Sequence, residues 1–355
     1  MRILITGICG FVGSVLAETL LDLWPGTSIL GIDNLMRPGS ESNRARLVRL
    51  GVTLFHGDVR LASDLDALPK ADWIIDAAAN PSVLAGVSGR ATSRQVLEHN
   101  LAALVNVLEY ARRHSAGFVL LSSSRVYSIP ALAALPLAVH DRAFHLDDTQ
   151  PLPKGVSACG INVDFSTEAP VSLYGSAKLA SEIVALDFCM AFDLPVWIDR
   201  CGVLAGAGQF GTPDQGIFSY WINAHLCRRP LAYIGFGGHG HQVRDAFHPR
   251  DLAALVAAQI RTERRGGQRI YTAGGGPANA MSLAQLTQWC DTRFSPHAPR
   301  ADGSPRPYDV PWVVMDNADA HRDFGWSPAC SIDRLLEGIA AHAADRPGWL
   351  ELSGI

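Results

Sequence analysis

The chain has no surplus of positive charge, no long apolar run and no paired cysteine motif, and each absence narrows what it does. Lys and Arg total 30 against 34 Asp and Glu, a formal charge of -4. That balance leaves no electrostatic footprint for gripping a phosphate backbone, so nucleic acid is not an expected partner. No apolar stretch approaches the roughly 18 residues that a membrane helix needs, and a membrane is not an expected partner either. The N-terminal run Ile3, Leu4, Ile5 breaks at Gly7, too early for a signal peptide. The seven cysteines form no C-x-x-C pair and are odd in number, the pattern of reduced thiols in a cytoplasmic chain rather than of a disulfide framework. What is present is an ordinary globular composition, 48% hydrophobic and 18% charged, with 33 Gly and 21 Pro scattered over 355 residues. At roughly 150 residues per domain, that length allows about two structural units.

Short apolar runs alternate with amphipathic stretches through the first half. Arg2 to Thr6, Ser28 to Asp33, Val52 to His56, Trp73 to Asp76 and Phe118 to Ser122 are each bounded by Gly, Asp, Asn or Ser, as buried parallel strands are. Between them Phe11 to Leu23 and Ser93 to His114 carry apolar residues at helical spacing. Strand alternating with helix implies right-handed crossovers and an α/β fold with a doubly wound parallel sheet. After Tyr127 the pattern falters. The stretch to Pro170 holds IPALAALPLAV, apolar but with two prolines, and no periodicity; it reads as an insertion or lid that covers the substrate, packs on a partner subunit or folds onto its own domain. Order resumes with a helix from about Leu173 to Phe192 and a strand from Pro195 to Arg200. Helices follow near Ile217 to Arg228, Asp251 to Thr262, Leu283 to Cys290 and Ile332 to His342.

Residues 6 to 14 read TGICGFVGS, with Gly7, Gly10 and Gly13 between the first expected strand and the first expected helix. Glycine at such a turn lets the backbone approach a pyrophosphate, whose charge then rests on the free N–H groups of the helix start, near Phe11 and Val12. Asp33 ends the second strand, where a carboxylate accepts hydrogen bonds from an adenosine ribose. Its charge would repel a 2′-phosphate, so the expected cofactor is NAD rather than NADP. Arg37 is read as a solvated loop residue. Asn34 neighbours the ribose, Asp58 and Val59 follow the third strand and flank the adenine, and the small Ala77, Ala78 and Ala79 let the cofactor pass over the fourth.

Ser122, Ser123 and Ser124 close the fifth strand, and YGSAK places Tyr174 and Lys178 four residues apart, on one face of the following helix. A phenol ionises near pH 10 unless positive charge is close, so Lys178 and the nicotinamide ring of oxidised cofactor would lower it toward working pH. Tyr174 is then the base for a substrate alcohol, with a strand-end serine hydrogen-bonded to the same oxygen. His239 and His241 form an H-x-H in a glycine loop, but no carboxylate or thiol converges on them, and no metal is expected.

At this point the residues resemble a family, the extended short-chain dehydrogenase/reductases that act on nucleotide sugars. TGICGFVGS, DNL at 33 to 35, GDVR at 57 to 60, SSSRVY at 122 to 127, YGSAK at 174 to 178 and VRDAFHPRDLA at 243 to 253 fall in the family's order over nearly the whole chain. Within it the chain looks most like the CDP-paratose 2-epimerases, also called CDP-tyvelose epimerases. GQFGTPDQGIFSYW at 208 to 221, HQVRD at 241 to 245 and DFGWSP ending at Pro328 carry that likeness. The resemblance implies a Rossmann domain over residues 1–200, interrupted at about 128–170. A smaller, mixed α/β nucleotide-sugar region over 201–355 would return some segments to the first domain. It selects Ser123 as the catalytic hydroxyl and implies Asn100 beside the cofactor, Arg244 on the diphosphate, and Ser124, Arg125, Gln209, Phe210 and Gln215 toward the substrate, with Asp214 a further candidate. It further implies a homodimer built on the long helices, including the one that bears Tyr174.

Departures from the family are equally specific. Its 4,6-dehydratases carry Asp-Glu after the catalytic hydroxyl residue, an acid and a base for eliminating water; here Ser124 and Arg125 stand there. The usual Tyr-Gly after the sixth strand is Ala205 and Gly206, and an arginine common before the glutamine is Gly208. A late arginine that grips the diphosphate is expected to be missing near Val310 and Pro311. The expected activity is NAD-dependent epimerisation of a nucleotide sugar through a keto intermediate, at carbon 2 of a CDP-sugar. The alternatives are a 4-epimerase, a net oxidoreductase or, from another class, a non-catalytic dinucleotide-binding module.

Overall fold

The structure is a computed structural model that describes residues 1–84, 86–87, 91–262 and 267–355. Seven strands make its central sheet: β1 (Arg2–Thr6), β2 (Ser28–Asp33), β3 (Thr53–His56), β4 (Trp73–Asp76), β5 (Gly117–Ser123), β6 (Val196–Cys201) and β7 (Ile270–Ala273). All pair in parallel, in the order β7-β6-β5-β4-β1-β2-β3. The sheet is α/β and doubly wound, as expected. Winding reverses between β1 and β4, and the crevice that ligands use opens where strand order reverses.

Strand side chains alternate between two apolar layers. Ile3 and Ile5 of β1 face Leu16, Ala17 and Leu20 of the helix Phe11–Leu23 and Leu252, Leu255 and Val256 of the helix Pro249–Arg261. Leu4, Ile74 and Phe118 face the other way, onto Leu104 and Leu108 of the helix Ala103–His114 and Ala185 of the helix Ser172–Ala191. The expected helix over Ser93 to His114 is helical but not uniform: Ser93–Leu97 passes through a π-type turn, Glu98–Ala102, before Ala103–His114 begins. Such turns insert one residue and re-aim side chains, often beside a functional site.

A smaller region follows β6. The helices Ile217–Leu226, Leu283–Arg293 and Ile332–Asp345 close a core of their own around Phe218, Trp221, Leu286 and Leu336. Beside it lies a small mixed sheet built on Val243–Phe247. The stretch 128–170 folds onto the protein's own body. It forms a short helix, Ile129–Ala133, and two small hairpins, and buries Leu132, Leu135 and Phe165 against Trp312, Val314 and Met315. None of its residues lines the cavity described next.

Candidate active site

A cavity of about 470 Å³ lies over the carboxyl ends of β1, β4 and β5, within the size range of ligand sites. At its floor Gly7 has φ +63, and a Cβ on Gly13 would come within 2.4 Å of the Gly7 carbonyl oxygen. Only glycines fit that turn. The helix that starts at Phe11 has no side-chain cap, so its first amides are free to receive an anion from the cavity. Gly10, Val12, Asn34, Asp58, Val59, Ala77, Ala78 and Ala79 line the same space. Asp33 sits beside the turn, accepting from the Cys9 amide at 2.9 Å and the Leu35 amide at 2.8 Å. Burial pushes its carboxyl up and those amides pull it down. Asp58 is held well below the usual carboxylate range by Arg60, at 2.6 Å, with Asn34 donating to it at 3.0 Å.

Two expectations change here. Arg37 is not a solvated loop residue: its guanidinium donates to Gln215 Oε1 at 2.9 Å and to the Phe210 carbonyl, clamping the 210–215 loop beside the cavity. Asn100 does not line the cavity. The π-type turn aims it inward, where its amide donates to the Asn80 carbonyl at 3.0 Å and its Oδ1 accepts from the Asn80 N–H at 3.2 Å. It steadies the loop after β4 instead of offering itself to a ligand.

Ser123, Tyr174 and Lys178 all line the cavity at the end of β5. Burial pushes the Tyr174 phenol up to about 12, against the opposing pull of the Ser123 hydroxyl and the Arg125 charge. Arg125 is a cation that bears on the phenol, a role not read for it from the sequence. Lys178 donates from Nζ to the Leu121 carbonyl at 3.0 Å; burial lowers its pKa, while the Asp76 carboxylate favours its charge. Asp76 is itself held by Thr6 Oγ1 at 2.6 Å, and the same hydroxyl accepts from the Ala78 amide at 3.0 Å. One hydroxyl therefore ties the cofactor-side loop to the carboxylate behind the lysine.

At the other end Arg244 donates to Asp309 Oδ1 at 2.9 Å and to the Val310 carbonyl at 2.8 Å. Arg306 donates to Asp214 Oδ1 at 3.1 Å and lines the cavity too. Arg306 thus stands at the cavity a few residues before Val310 and Pro311, where a late arginine was expected to be missing, in a loop that carried no periodic signal. Ser124, Arg125, Gln209 and Gln215 reach the cavity wall. Gln209 spends its amide on the Leu204 carbonyl at 2.7 Å, and Gln215 its carbonyl on Arg37. Phe210 touches the wall but is 3% exposed, its ring stacked 5.1 Å from that of Trp349 in a cluster with Phe11 and Val15. It is a packing residue first. The rings of His239 and His241 stack at 5.4 Å, and among the described residues no group of three metal-ligating side chains gathers.

The glycine turn, the uncapped helix start and the Ser123, Tyr174 and Lys178 side chains open on one crevice at the switch point, which places the protein among Rossmann-fold enzymes that work on a bound dinucleotide. More narrowly, the chain belongs to the NAD dependent epimerase/dehydratase family, whose pattern matches residues 3–274. It is similar to CDP-paratose 2-epimerase of Salmonella typhi, 28% identical over 349 residues, 93% of this chain and 96% of that one. It is as similar to UDP-glucose 4-epimerase of Azospirillum brasilense, 28% identical over 363 residues, 99% of this chain and 93% of that one. Among solved structures, UDP-glucuronic acid 4-epimerase from Bacillus cereus, in complex with UDP-glucuronic acid and NAD, superposes with a TM-score of 0.75 at 21% identity. The match covers 97% of this chain and 99% of that one, and it shows the shared fold.

Proposed function

We propose that the protein is an NAD-dependent epimerase acting at carbon 2 of a CDP-activated sugar. The observation that favours epimerisation over water elimination is the pair that follows Ser123. Ser124 and Arg125 line the cavity there with no carboxylate, whereas the groups needed to oxidise a hydroxyl reversibly, Ser123, Tyr174 and Lys178, are all at the wall. The likeness to CDP-paratose 2-epimerase, over nearly the full length of both chains, supports the nucleotide and the carbon. The equal likeness to a 4-epimerase supports the second reading, inversion at carbon 4.

The residues fit the cofactor. Gly7, Gly10, Gly13 and the helix start at Phe11 and Val12 would hold its pyrophosphate, Asp33 and Asn34 its adenosine ribose, and Asp58 and Val59 its adenine, with Ala77 to Ala79 leaving room along β4. When bound, NAD supplies a hydride acceptor that also hands the hydride back, so turnover consumes no reductant. Tyr174 takes the proton from the reacting hydroxyl and later returns it to the same oxygen, which Ser123 holds by a hydrogen bond. Inversion requires the keto-sugar to present its other face. That in turn requires a firmly held diphosphate, for which Arg244 and Arg306 supply the charge, beside a loosely held sugar. The resemblance supports a homodimer in the cytoplasm, and apolar side chains left outside on the Ser172–Ala191 helix support the dimer.

Native mass spectrometry of the purified protein with a panel of nucleotide sugars, followed by NMR of the products, tests the reading. The expected result is co-purified NAD, preference for a CDP-sugar and inversion at carbon 2. Net release of NADH would replace epimerisation with stoichiometric oxidation.

A further inference from the structure

Three guanidinium groups line the substrate end of the cavity, those of Arg125, Arg244 and Arg306. Two have carboxylate partners: Arg244 on Asp309 at 2.9 Å and Arg306 on Asp214 at 3.1 Å. Among the described residues Arg125 has none. Its Nη1 donates to the Tyr308 carbonyl at 3.2 Å, which leaves its other donors free toward the cavity. Burial and the nearby Arg244 charge hold its pKa down at about 10, with the Asp309 carboxylate pulling the other way.

Its position is fixed from both ends. The Arg125 amide donates to Ser123 Oγ at 3.2 Å. Its carbonyl fills the space beside Gly175, where a Cβ would come within 2.2 Å of that oxygen. The residue is wedged between the strand-end hydroxyl and the helix turn that carries Tyr174. Its head group meanwhile shares the 308–310 loop with Arg244, which donates to the Val310 carbonyl at 2.8 Å. The Arg125 charge thus bears both on the Tyr174 phenol and on the Arg244–Asp309 pair at the 308–310 loop.

In a nucleotide-activated pyranose the phosphate hangs from the anomeric carbon. Carbon 2 is the next ring atom, and carbon 4 lies across the ring. A cation beside the proton-transfer group reaches both the phosphate and the reaction only if the reacting carbon is the near one. We propose that Arg125 determines which carbon reacts: it binds the phosphate oxygens closest to the sugar and thereby sets carbon 2, not carbon 4, against Tyr174. This rests on the epimerase reading above and goes beyond it by naming the residue that selects the carbon. Held only by Arg244 and Arg306, the phosphate would sit farther from the phenol, a span that suits carbon 4.

The test uses the whole protein with CDP- and UDP-hexoses deuterated at carbon 2 or carbon 4, including hexuronic acids. Products are followed by NMR, and nucleoside mono- and diphosphates serve as competitive inhibitors. The wild type is expected to invert carbon 2 and to show a primary isotope effect only from deuterium there. Arg125→Gln is expected to lower kcat/KM about 100-fold, with Arg125→Lys recovering most of the loss. Arg125→Gln is also expected to weaken nucleoside diphosphate inhibition about 10-fold while leaving the monophosphate unchanged, because only the diphosphate reaches the sugar-side position. A merely structural role would weaken both inhibitors alike. Removing an unpaired, desolvated cation relieves the fold rather than straining it; Arg125→Met serves as a second variant with the same expectations. A wild type that inverts carbon 4 overturns the proposal and leaves the epimerase reading standing. Equal weakening of both inhibitors, or a loss confined to sugars that carry a carboxylate, overturns it as well. No turnover of any nucleotide sugar removes both.

Discussion

A phenol buried as Tyr174 is stays protonated at neutral pH, since its pKa stands at about 12. To act as a base it needs positive charge nearby when substrate binds, and Arg125 is one source of it. Two outcomes follow at this position. Tyr174→Phe is expected to lower kcat by roughly 10³-fold while KM changes little. NAD should still co-purify, because the glycine turn and Asp33 are untouched. Steady-state kinetics and the absorbance of released cofactor check this; full turnover in the Phe variant would falsify the catalytic assignment. The accepting form is the ionised phenol, so kcat rises with pH as the phenol loses its proton. In Arg125→Gln that rise should move to higher pH, because loss of a neighbouring cation raises a phenol's pKa. At this scale much was readable in advance: the spacing of YGSAK put Tyr174 and Lys178 on one helical face, and they do share the cavity. What the sequence did not show is a side chain's partner that lies far along the chain. Asn100 spends its amide on Asn80, Phe210 its ring on Trp349, and Arg37 its charge on Gln215. No local pattern announces such pairs.

The Ser172–Ala191 helix faces two ways. Tyr174, Lys178 and Glu182 recur every fourth residue and so form one inward stripe. Glu182 closes that stripe with a buried ion pair to Arg200 of β6 at 2.8 Å, and it accepts from Ser122 of β5. Helix and strands are thereby locked just behind the lysine. Glu182→Gln would leave the Arg200 guanidinium buried without a counter-charge, a loss of about 3–5 kcal/mol that denaturant unfolding would register. On the outward side Ile183 is 57% exposed and Met190, two turns on, 80% exposed. Exposed apolar residues at a spacing of seven form the kind of seam that a second copy covers. Ile183→Asp is therefore expected to shift the protein from dimer to monomer in analytical ultracentrifugation while NAD stays bound. A wild type that is monomeric at micromolar concentration would refute the dimer. The other elements sort by length. Six sheet strands stood out as apolar runs next to glycine or polar punctuation. β7, only Ile270–Ala273, did not, because the chain leaves the sheet after β6 and returns some 70 residues later. The stretch 128–170 hid its order for the same reason, each of its helices and strands being two to five residues long.

The main sheet and the smaller region meet around the cavity, and polar ties run across it. Arg37, just after β2, reaches Gln215 in the smaller region, while Arg125, after β5, reaches the Tyr308 carbonyl. Between these ties lies the cavity that ligands would enter. Ligands that touch both sides therefore add their binding free energy to the folding of the whole, by about 2.7 kcal/mol when present at a hundred times Kd. For a chain of this size each kcal/mol moves Tm by roughly 2–4 °C, so stripping NAD should lower Tm by several degrees. On the function proposed above, NAD would touch mainly the sheet side, whereas a nucleoside diphosphate would reach Arg244 and Arg306 on the other. Adding the diphosphate to the NAD-loaded protein should therefore raise Tm further, and Arg244→Gln should abolish that second increment while leaving the first. Differential scanning calorimetry of the stripped, NAD-loaded and doubly loaded forms reads all three. A second increment that survives Arg244→Gln intact would mean that the diphosphate is held elsewhere than at this end of the cavity.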